Sequence, residues 1–212
     1  MRASLTSLLA LVLPSALLIG ACHSVPPRYG ESVRPFASQG LQEANPNDVV
    51  VMPVVYEGMA SAPDELLREA FHGQLPIKRY APVSLDYTDS RAVAASYMPG
   101  ACDEDAVLEI VIHRWDSDLW KLRSALDVDI EVRILDAAGQ QGLPLWAARL
   151  DQRFDFGGKG QTFASERQRM RFACDAIARE LLADLPARRA EPTPIGTQPA
   201  GTIPAGAPTQ GS

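Results

Sequence analysis

The sequence predicts an α/β domain in which helices pack on a mixed sheet of about five strands. A continuous apolar run at residues 48–56 is typical of a strand covered on both faces. Residues 124–135 alternate apolar and charged side chains, as a strand with one buried and one wet face does. Apolar residues three and four positions apart in residues 162–185 predict a helix that packs on the sheet. The fold class rests on these three segments.

The remaining elements complete the order β-α-β-α-β-β-β-α. Ser61 suits the cap of a helix that ends at Gly73. Residues 77–85 are expected to form a short second strand, in which Pro82 favours an edge, and residues 90–98 a weaker helix. Short connections then predict an antiparallel meander. Its strands are residues 106–115, 124–135 and 143–154.

The two ends of the chain differ from its middle in composition. Residues 1–21 combine Arg2, an apolar stretch broken by Pro14 and a run of small residues, which is typical of an export signal. The stretch is too short to stay in a membrane, because a spanning helix needs ~20 apolar residues. The expected organisation is a signal peptide, a lipidated cysteine with a flexible tether, a globular domain and a disordered Pro/Gly/Thr-rich tail. Their boundaries are residues 1–21, 22–47, 48–185 and 186–212.

The end of the signal contains a candidate lipidation site. Ile19-Gly20-Ala21-Cys22 resembles the lipobox of bacterial lipoproteins, in which the cysteine becomes the diacylated first residue of the mature protein. His23, rather than Asp, follows Cys22, which by the same resemblance implies the periplasmic side of the outer membrane. The alternative is ordinary cleavage with Cys22 as an unmodified thiol. Several acyl chains would make release from the bilayer negligible, since each buried CH₂ contributes ~0.8 kcal/mol.

Three further stretches carry a resemblance to a family. They are Val49 to Val54 (VVVMPV), Asp105 to Leu108 (DAVL) and Asp136 to Gly139 (DAAG) followed by Leu145-Trp146. They resemble a group of uncharacterised bacterial envelope lipoproteins, whose domain is similar to the amino-terminal α/β domain of TolB and to the periplasmic part of CsgG-type secretion lipoproteins. The resemblance spans residues 48–156 and implies the fold, an envelope location and a role in envelope transport or assembly. It implies no catalytic residues.

Charge excludes one class of partner. The chain has 20 Lys and Arg against 26 Asp and Glu, a net charge of −6, and no basic block. Nucleic-acid binding depends on clustered Lys and Arg, so no nucleic-acid partner is expected.

The sequence favours no catalytic, cofactor or metal site. A hydrolase needs a nucleophile, a base and an orienting acid, and the three histidines occur in unrelated contexts, namely at positions 23, 72 and 113. Residues 157–162 are glycine-rich but lack the spacing of a P-loop, so a plain loop is expected. Acids at residues 103–105 and 109, and at 116 and 118, lack an EF-hand register and are interpreted as turn acids.

Two cysteines remain once Cys22 is lipidated, and the sequence leaves their state open. A Cys102–Cys174 disulfide would suit an oxidising periplasm and would contribute ~2–4 kcal/mol. The alternative is that Cys174 is a small buried hydrophobe on the last helix and Cys102 a free thiol in a loop.

Large apolar residues between two meander strands are a candidate partner contact. Trp115, Leu119 and Trp120 flank Asp116-Ser117-Asp118. At a hairpin tip such residues often meet a partner, although here burial at one end of the core is favoured.

The function expected from these observations is that of a non-enzymatic docking or assembly component of an envelope transport or secretion system. The membrane is reached through the N-terminal lipid, and an envelope protein or a second copy of the chain would meet the edge strand or the hairpin. The alternative is a regulator or ligand-binding lipoprotein that contacts cell-wall glycan or an envelope enzyme.

Overall fold

One mixed sheet organises the domain. The computed structural model describes residues 34–37, 39–57, 61–92, 97–138, 143–157 and 162–190. The strands follow the order β1-β7-β6-β5-β2-β4, and β3 pairs with β5 beyond the end of β2. Seven segments therefore fill six strand positions, and the α/β class with a mixed sheet is confirmed. The strands are β1 Arg34–Ala37, β2 Asp48–Val51, β3 Val55–Tyr56, β4 Ala81–Pro82, β5 Ala106–Asp116, β6 Ala125–Asp136 and β7 Trp146–Asp155.

The meander β5-β6-β7 is the longest part of the sheet, and its two antiparallel ladders run nearly its full length. Alternate side chains of β6 enter the core, as the sequence pattern predicts, and Ile130 lies between Ile112 and Leu150 in register. β2 pairs in parallel with β5 and is wholly buried at Val49, Val50 and Val51. The apolar run at residues 48–56 is thus a strand interrupted at residues 52–54, around Pro53, after which β3 resumes along β5.

Two helices cover one face of the sheet. α2 and α5 pack against each other, and their apolar sides join the core cluster through Phe71 and Ile177. The Ser165 hydroxyl accepts the backbone N–H of Gln168 and so caps the first turn of the last helix. No described helix is both long enough and apolar enough to cross a membrane. The helices are α1 Gln39–Ala44, α2 Asp64–Gln74, α3 Leu85–Ala92, α4 Trp120–Arg123 and α5 Glu166–Leu181.

The segment after α2 differs from the sequence prediction. A 3₁₀ turn, Leu75–Lys78, has Pro76 near its N-terminus. Arg79 caps its C-terminus with a φ of +68°. Only Ala81–Pro82 of the expected strand at 77–85 pairs with the sheet. The N–H groups of Ala81 and Val83 donate to the carbonyls of Asn47 and Val49, so Pro82 between them turns its missing N–H to the open edge of the sheet. The weaker helix begins five residues earlier than predicted, at Leu85, and residues 93–96 lie outside the described residues.

The predicted tether is too long, because its second half is folded. β1 pairs antiparallel with β7, and α1 follows it. Leu41 is 2 % exposed and belongs to the core cluster. The sequence did not predict this helix, because a single leucine among six residues shows no periodicity. Residues 1–33, which include the predicted signal and Cys22, lie outside the described residues.

The domain also extends past residue 185. The Tyr80 hydroxyl donates to the carbonyl of Pro186 at 2.8 Å. The Arg188 N–H donates to the Lys78 carbonyl at 2.9 Å, and the Arg189 N–H donates to Asn45 Oδ1 at 3.0 Å. Residues 186–190 therefore belong to the folded domain, and the rest of the predicted tail, residues 191–212, lies outside the described residues.

Replacing Leu41 with Ala tests the folded second half of the predicted tether. The change leaves a cavity in the core, so the free energy of unfolding should fall by about 2–4 kcal/mol in urea denaturation. Glu43→Ala, on the exposed side of the same helix, should stay within about 0.5 kcal/mol of wild type. Equal, negligible effects of both changes would mean that residues 39–44 are not part of the fold.

Candidate functional site at the hairpin tip

A cleft of about 540 Å³ lies at the tip of the β5-β6 hairpin. Residues 61–63 before α2, the first turns of α5 and the end of the hairpin from β5 to α4 form its walls. Its apolar lining comprises Ala62, Pro63, Trp115, Trp120 and Met170. Its polar lining comprises Ser61, Ser117, Asp118, Lys121 and Glu166. The cleft therefore combines aromatic and aliphatic walls with charged groups of both signs, as ligand sites often do.

A β-bulge positions Trp115 in this cleft. The β5-β6 register shifts between Ile112 and Arg114, so that Ile112 faces Ile130 and Trp115 faces Val128. Ile112 and Trp115 are three residues apart, which in a regular strand would place them on opposite faces. The extra residue returns Trp115 to the core face, where it is 7 % exposed.

Trp120 begins the one-turn helix α4 and lies deeper than Trp115. It is 3 % exposed and packs edge-on against Phe156, with ring centroids 6.1 Å apart. The Arg169 guanidinium lies 4.7 Å from the centroid of the indole ring, on its face. Trp115 and Trp120 therefore belong to the core cluster, and Leu119 is half-buried. A partner contact at these three residues stays a prediction. The exposed apolar side chain at the tip is Leu122, at 83 %.

A second hollow, of about 400 Å³, adjoins the cleft and shares Glu166 with it. Phe156 and Gly157, which come directly after β7 in the chain, line this hollow together with Ser124. The Phe156 N–H donates to the Ser124 carbonyl at 2.9 Å. A Cβ on Gly157 would lie 2.6 Å from the Arg123 carbonyl oxygen, so this position requires glycine. The Gly157 N–H donates to Asp155, and residues 158–161 of the glycine-rich loop lie outside the described residues.

The acids noted in the sequence have structural partners in turns. Burial raises the pKa of Glu104, but hydrogen bonds from the Tyr97 hydroxyl and from backbone N–H groups outweigh it and hold that pKa below its usual range. Asp105 accepts the N–H groups of Asn47 and Asp48 and so joins β2 to the start of β5. Asp116 accepts the N–H of Asp118. Within the described residues, no three His, Cys, Asp or Glu side chains form a metal-binding group.

The face of the sheet opposite α2 and α5 carries paired charges, and we call it the charged face. Arg149 makes two contacts with Asp129, at 2.8 and 2.7 Å. Paired guanidinium and carboxylate groups of this kind hold one another in fixed orientations. The other pairs are Arg114 and Arg153 with Asp127, Arg114 with Asp151, and Arg133 with Glu131.

These pairs lower the pKa of the carboxyl groups on β6. Hydrogen bonds from Arg149 hold the pKa of Asp129 below its usual range. Burial raises the pKa of Glu131, but the hydrogen bond from Arg133 and its charge outweigh that effect. A general acid at neutral pH needs a raised carboxyl pKa. These groups are therefore suited to holding arginines in place rather than to proton transfer.

The two described histidines also have local partners. His113 lies at the bulge of β5, where Nδ1 is 2.7 Å from a Glu57 carboxylate oxygen and Nε2 is 3.3 Å from one of Glu131. His72 Nε2 lies 3.1 Å from the Val83 carbonyl. His113 thus links the end of β3 to β6, and His72 links α2 to the segment after β4.

The two described cysteines are separate buried thiols rather than a disulfide. Cys174 lies on the buried stripe of α5, inside the core cluster. Cys102 is 6 % exposed in the turn before β5 and is not a member of that cluster. Burial raises the pKa of Cys174 to about 12, and burial together with the nearby Glu104 charge raises the pKa of Cys102. Both thiols are therefore poor nucleophiles.

The sequence predicted the hairpin part of the cleft, from Trp115 to Trp120, but not the residues that other segments contribute to it. Met170 and Glu166 come from α5, and Ala62 and Pro63 come from the segment directly before α2. They are remote in sequence from the hairpin, so only the packing of the two helix ends brings them to it. The apolar stripe of residues 162–185 predicted the last helix but carried no signal for the cleft.

Comparisons with known proteins give likenesses among solved structures. No family model and no curated protein matches the chain. The PelC dodecamer from Paraburkholderia phytofirmans is 13 % identical, with 74 % of this chain and 99 % of that chain covered and a TM-score of 0.46. The lipoprotein GNA1162 from Neisseria meningitidis is 14 % identical, with 66 % and 99 % covered and a TM-score of 0.42. The hypothetical protein CT253 from Chlamydia trachomatis is 15 % identical, with 65 % and 94 % covered and a TM-score of 0.42.

The charged face should make stability depend on pH in the acid range. The pKa of Asp129 is lower in the folded than in the unfolded protein. Its contribution to the free energy of unfolding is therefore complete above the ordinary carboxyl pKa, near pH 4, and is lost as the pH falls through the pKa of the folded state. Asp129→Asn should therefore be less stable than wild type at pH 7, and the difference should shrink between pH 4 and pH 2. Urea unfolding at several pH values measures both. Glu43→Gln, an exposed control on α1, should follow the wild-type curve, and a constant gap for Asp129→Asn would contradict the assignment.

The state of the cysteines can be tested by alkylation. In the mature chain with Cys22→Ser, iodoacetamide at pH 8 should modify neither Cys102 nor Cys174 in the native protein, because both are buried with raised pKa values. After unfolding without reductant, mass spectrometry should find both alkylated. Alkylation of both that appears only after reduction would establish a disulfide instead.

Proposed function

We propose that this protein is a lipoprotein anchored through Cys22 on the periplasmic side of the outer membrane. In this proposal it acts without catalysis, as a docking or assembly component of an envelope transport or secretion system. The observation that carries the docking role is the cleft at the hairpin tip, where aromatic walls adjoin the exposed Lys121 and Leu122. Such a combination of apolar anchor and polar rim suits contact with another protein.

The sequence around the anchor supports the location. Arg2, the short apolar stretch and Ile19-Gly20-Ala21-Cys22 match the order of a lipoprotein signal. Since β1 begins at Arg34, only 11 residues separate it from Cys22, and their covalent reach is at most ~40 Å. The folded domain would thus remain close to the bilayer. Confinement at a surface raises the effective concentration of any partner anchored there, so weak contacts suffice.

The ionic arrangement supports a scaffold role over proton chemistry. The carboxylates of the charged face pair with arginines, and their pKa values are lowered rather than raised. The thiols have raised pKa values and are buried. The resemblance to TolB-like and CsgG-like domains implies the same role in envelope transport or assembly. The proposal also includes self-association through the edge strand of the sheet.

Metabolic labelling tests the anchor. Palmitate label should appear on the wild-type chain and be lost in Cys22→Ser, while Cys102→Ser, which keeps the lipobox, should retain it. A wild-type chain that carries no label, or a Cys22→Ser form that still sediments with outer membranes, would contradict lipid anchoring.

Site-specific crosslinking in intact cells tests docking. A photoreactive residue at Lys121, on the cleft, should capture a component of an envelope transport or secretion system, whereas the same residue at Arg179, exposed on α5, should not. Deletion of residues 191–212 leaves the described domain intact and should leave the Lys121 product unchanged. Loss of the product on this deletion would favour the regulator or glycan-binding alternative, in which the tail makes the contact.

A further inference from the structure

Two buried hydrogen-bond donors beside the cleft have no acceptor in the described part of the chain. Trp120 lines the cleft, and its buried indole Nε1–H has no acceptor among the described residues. Arg169, stacked on the same ring, has a buried Nε in the same state and lines the adjoining hollow. A buried donor left unpaired is destabilising, because it has lost its hydrogen bonds to water without replacement. An acceptor oxygen that entered the cleft and reached Trp120 would therefore be stabilising.

The remaining lining restricts the chemistry of the molecule that brings this oxygen. Pro63, Trp115 and Met170 supply apolar walls, which suit an apolar side chain. Two exposed carboxylates, Asp118 and Glu166, outnumber the single cation of the lining, Lys121. Neither carboxylate has a side-chain ion pair with another described residue. An anionic ligand would be repelled by this lining, whereas a cationic one would be attracted.

We propose that the cleft receives a short extended peptide of the docking partner, in which an apolar residue is flanked by Lys or Arg. The apolar side chain packs against Pro63, Trp115 and Met170. A backbone carbonyl of the peptide accepts the Trp120 Nε1–H, and the flanking cations pair with Asp118 and Glu166. This inference rests on the proposed docking function and specifies the chemistry of its partner.

Three matched peptides test the inference on the full mature chain carrying Cys22→Ser. They are acetyl-Gly-Lys-Leu-Lys-Gly-amide, its acidic twin with Glu in place of Lys, and its polar twin with Ser in place of Leu. The readout is the indole N–H signal of each tryptophan in ¹⁵N-labelled protein. Trp146 provides an internal reference, because its indole N–H is also buried without an acceptor among the described residues but it does not line the cleft.

The basic apolar peptide should shift the Trp120 signal saturably and leave the Trp146 signal in place. The acidic and polar twins should bind at least threefold more weakly. Asp118→Asn combined with Glu166→Gln should weaken the basic peptide at least threefold, and this binding should weaken with salt in wild type. The remote pair Glu43→Gln with Asp184→Asn, both exposed, should change the affinity by less than twofold.

Equal binding of the basic and acidic peptides, or no shift of Trp120 with any of them, would overturn the inference. So would a saturable Trp120 shift produced by tri-N-acetylglucosamine but by none of the peptides, since the cleft would then be a glycan site. Failure here is distinct from failure of the docking function, which the Lys121 crosslink reports. A crosslinked partner without peptide binding would leave docking in place and reject only this peptide chemistry.

Discussion

The structure depends on the two-sided meander formed by β5, β6 and β7. β6 places apolar side chains on one face and mostly charged ones on the other, and its neighbours β5 and β7 follow it in register, so a single set of backbone ladders fixes both the core and the charged face. A shift of one residue in either ladder would exchange the two faces. The cross-strand ion pairs oppose such a shift, because a slip of one residue would move Arg149 to the face away from Asp129. Burial and ion pairing thus specify the same alignment.

The bulge in β5 is the place in the meander where this alternation is broken, and the cleft exists because of it. Without the extra residue, Trp115 would lie on the charged face, and the cleft would lack the wall that Trp115 forms. The bulge also places His113 between carboxylates of β3 and β6. Bulges commonly re-aim side chains next to functional sites. Here one local irregularity both continues the core to the hairpin tip and ties down the edge segment β3.

Much of the fold could be predicted from the sequence, because its longest elements repeat their pattern many times. β6 alternates over its whole length and α5 repeats its apolar stripe over four turns, so both were found within a few residues of their ends. The predictions failed where a segment is too short to have a period. α1 depends on Leu41 alone, and residues 186–190 join the domain mainly through backbone contacts with Tyr80, Lys78 and Asn45. Composition cannot reveal contacts that any residue type could make.

The cleft marks a second limit of sequence reasoning, and it also explains why the tryptophans were ambiguous. A large apolar residue at a hairpin tip is typical either of a partner contact or of a core cover, and in this domain Trp115 and Trp120 cover the core. Their rings are almost wholly buried, yet a narrow part of each lines the cleft. Replacing Trp120 would therefore remove core packing together with any ligand contact, and loss of binding in such a variant would not identify a site. The groups that separate the two roles are the exposed carboxylates Asp118 and Glu166, because they line the cleft without supporting the core.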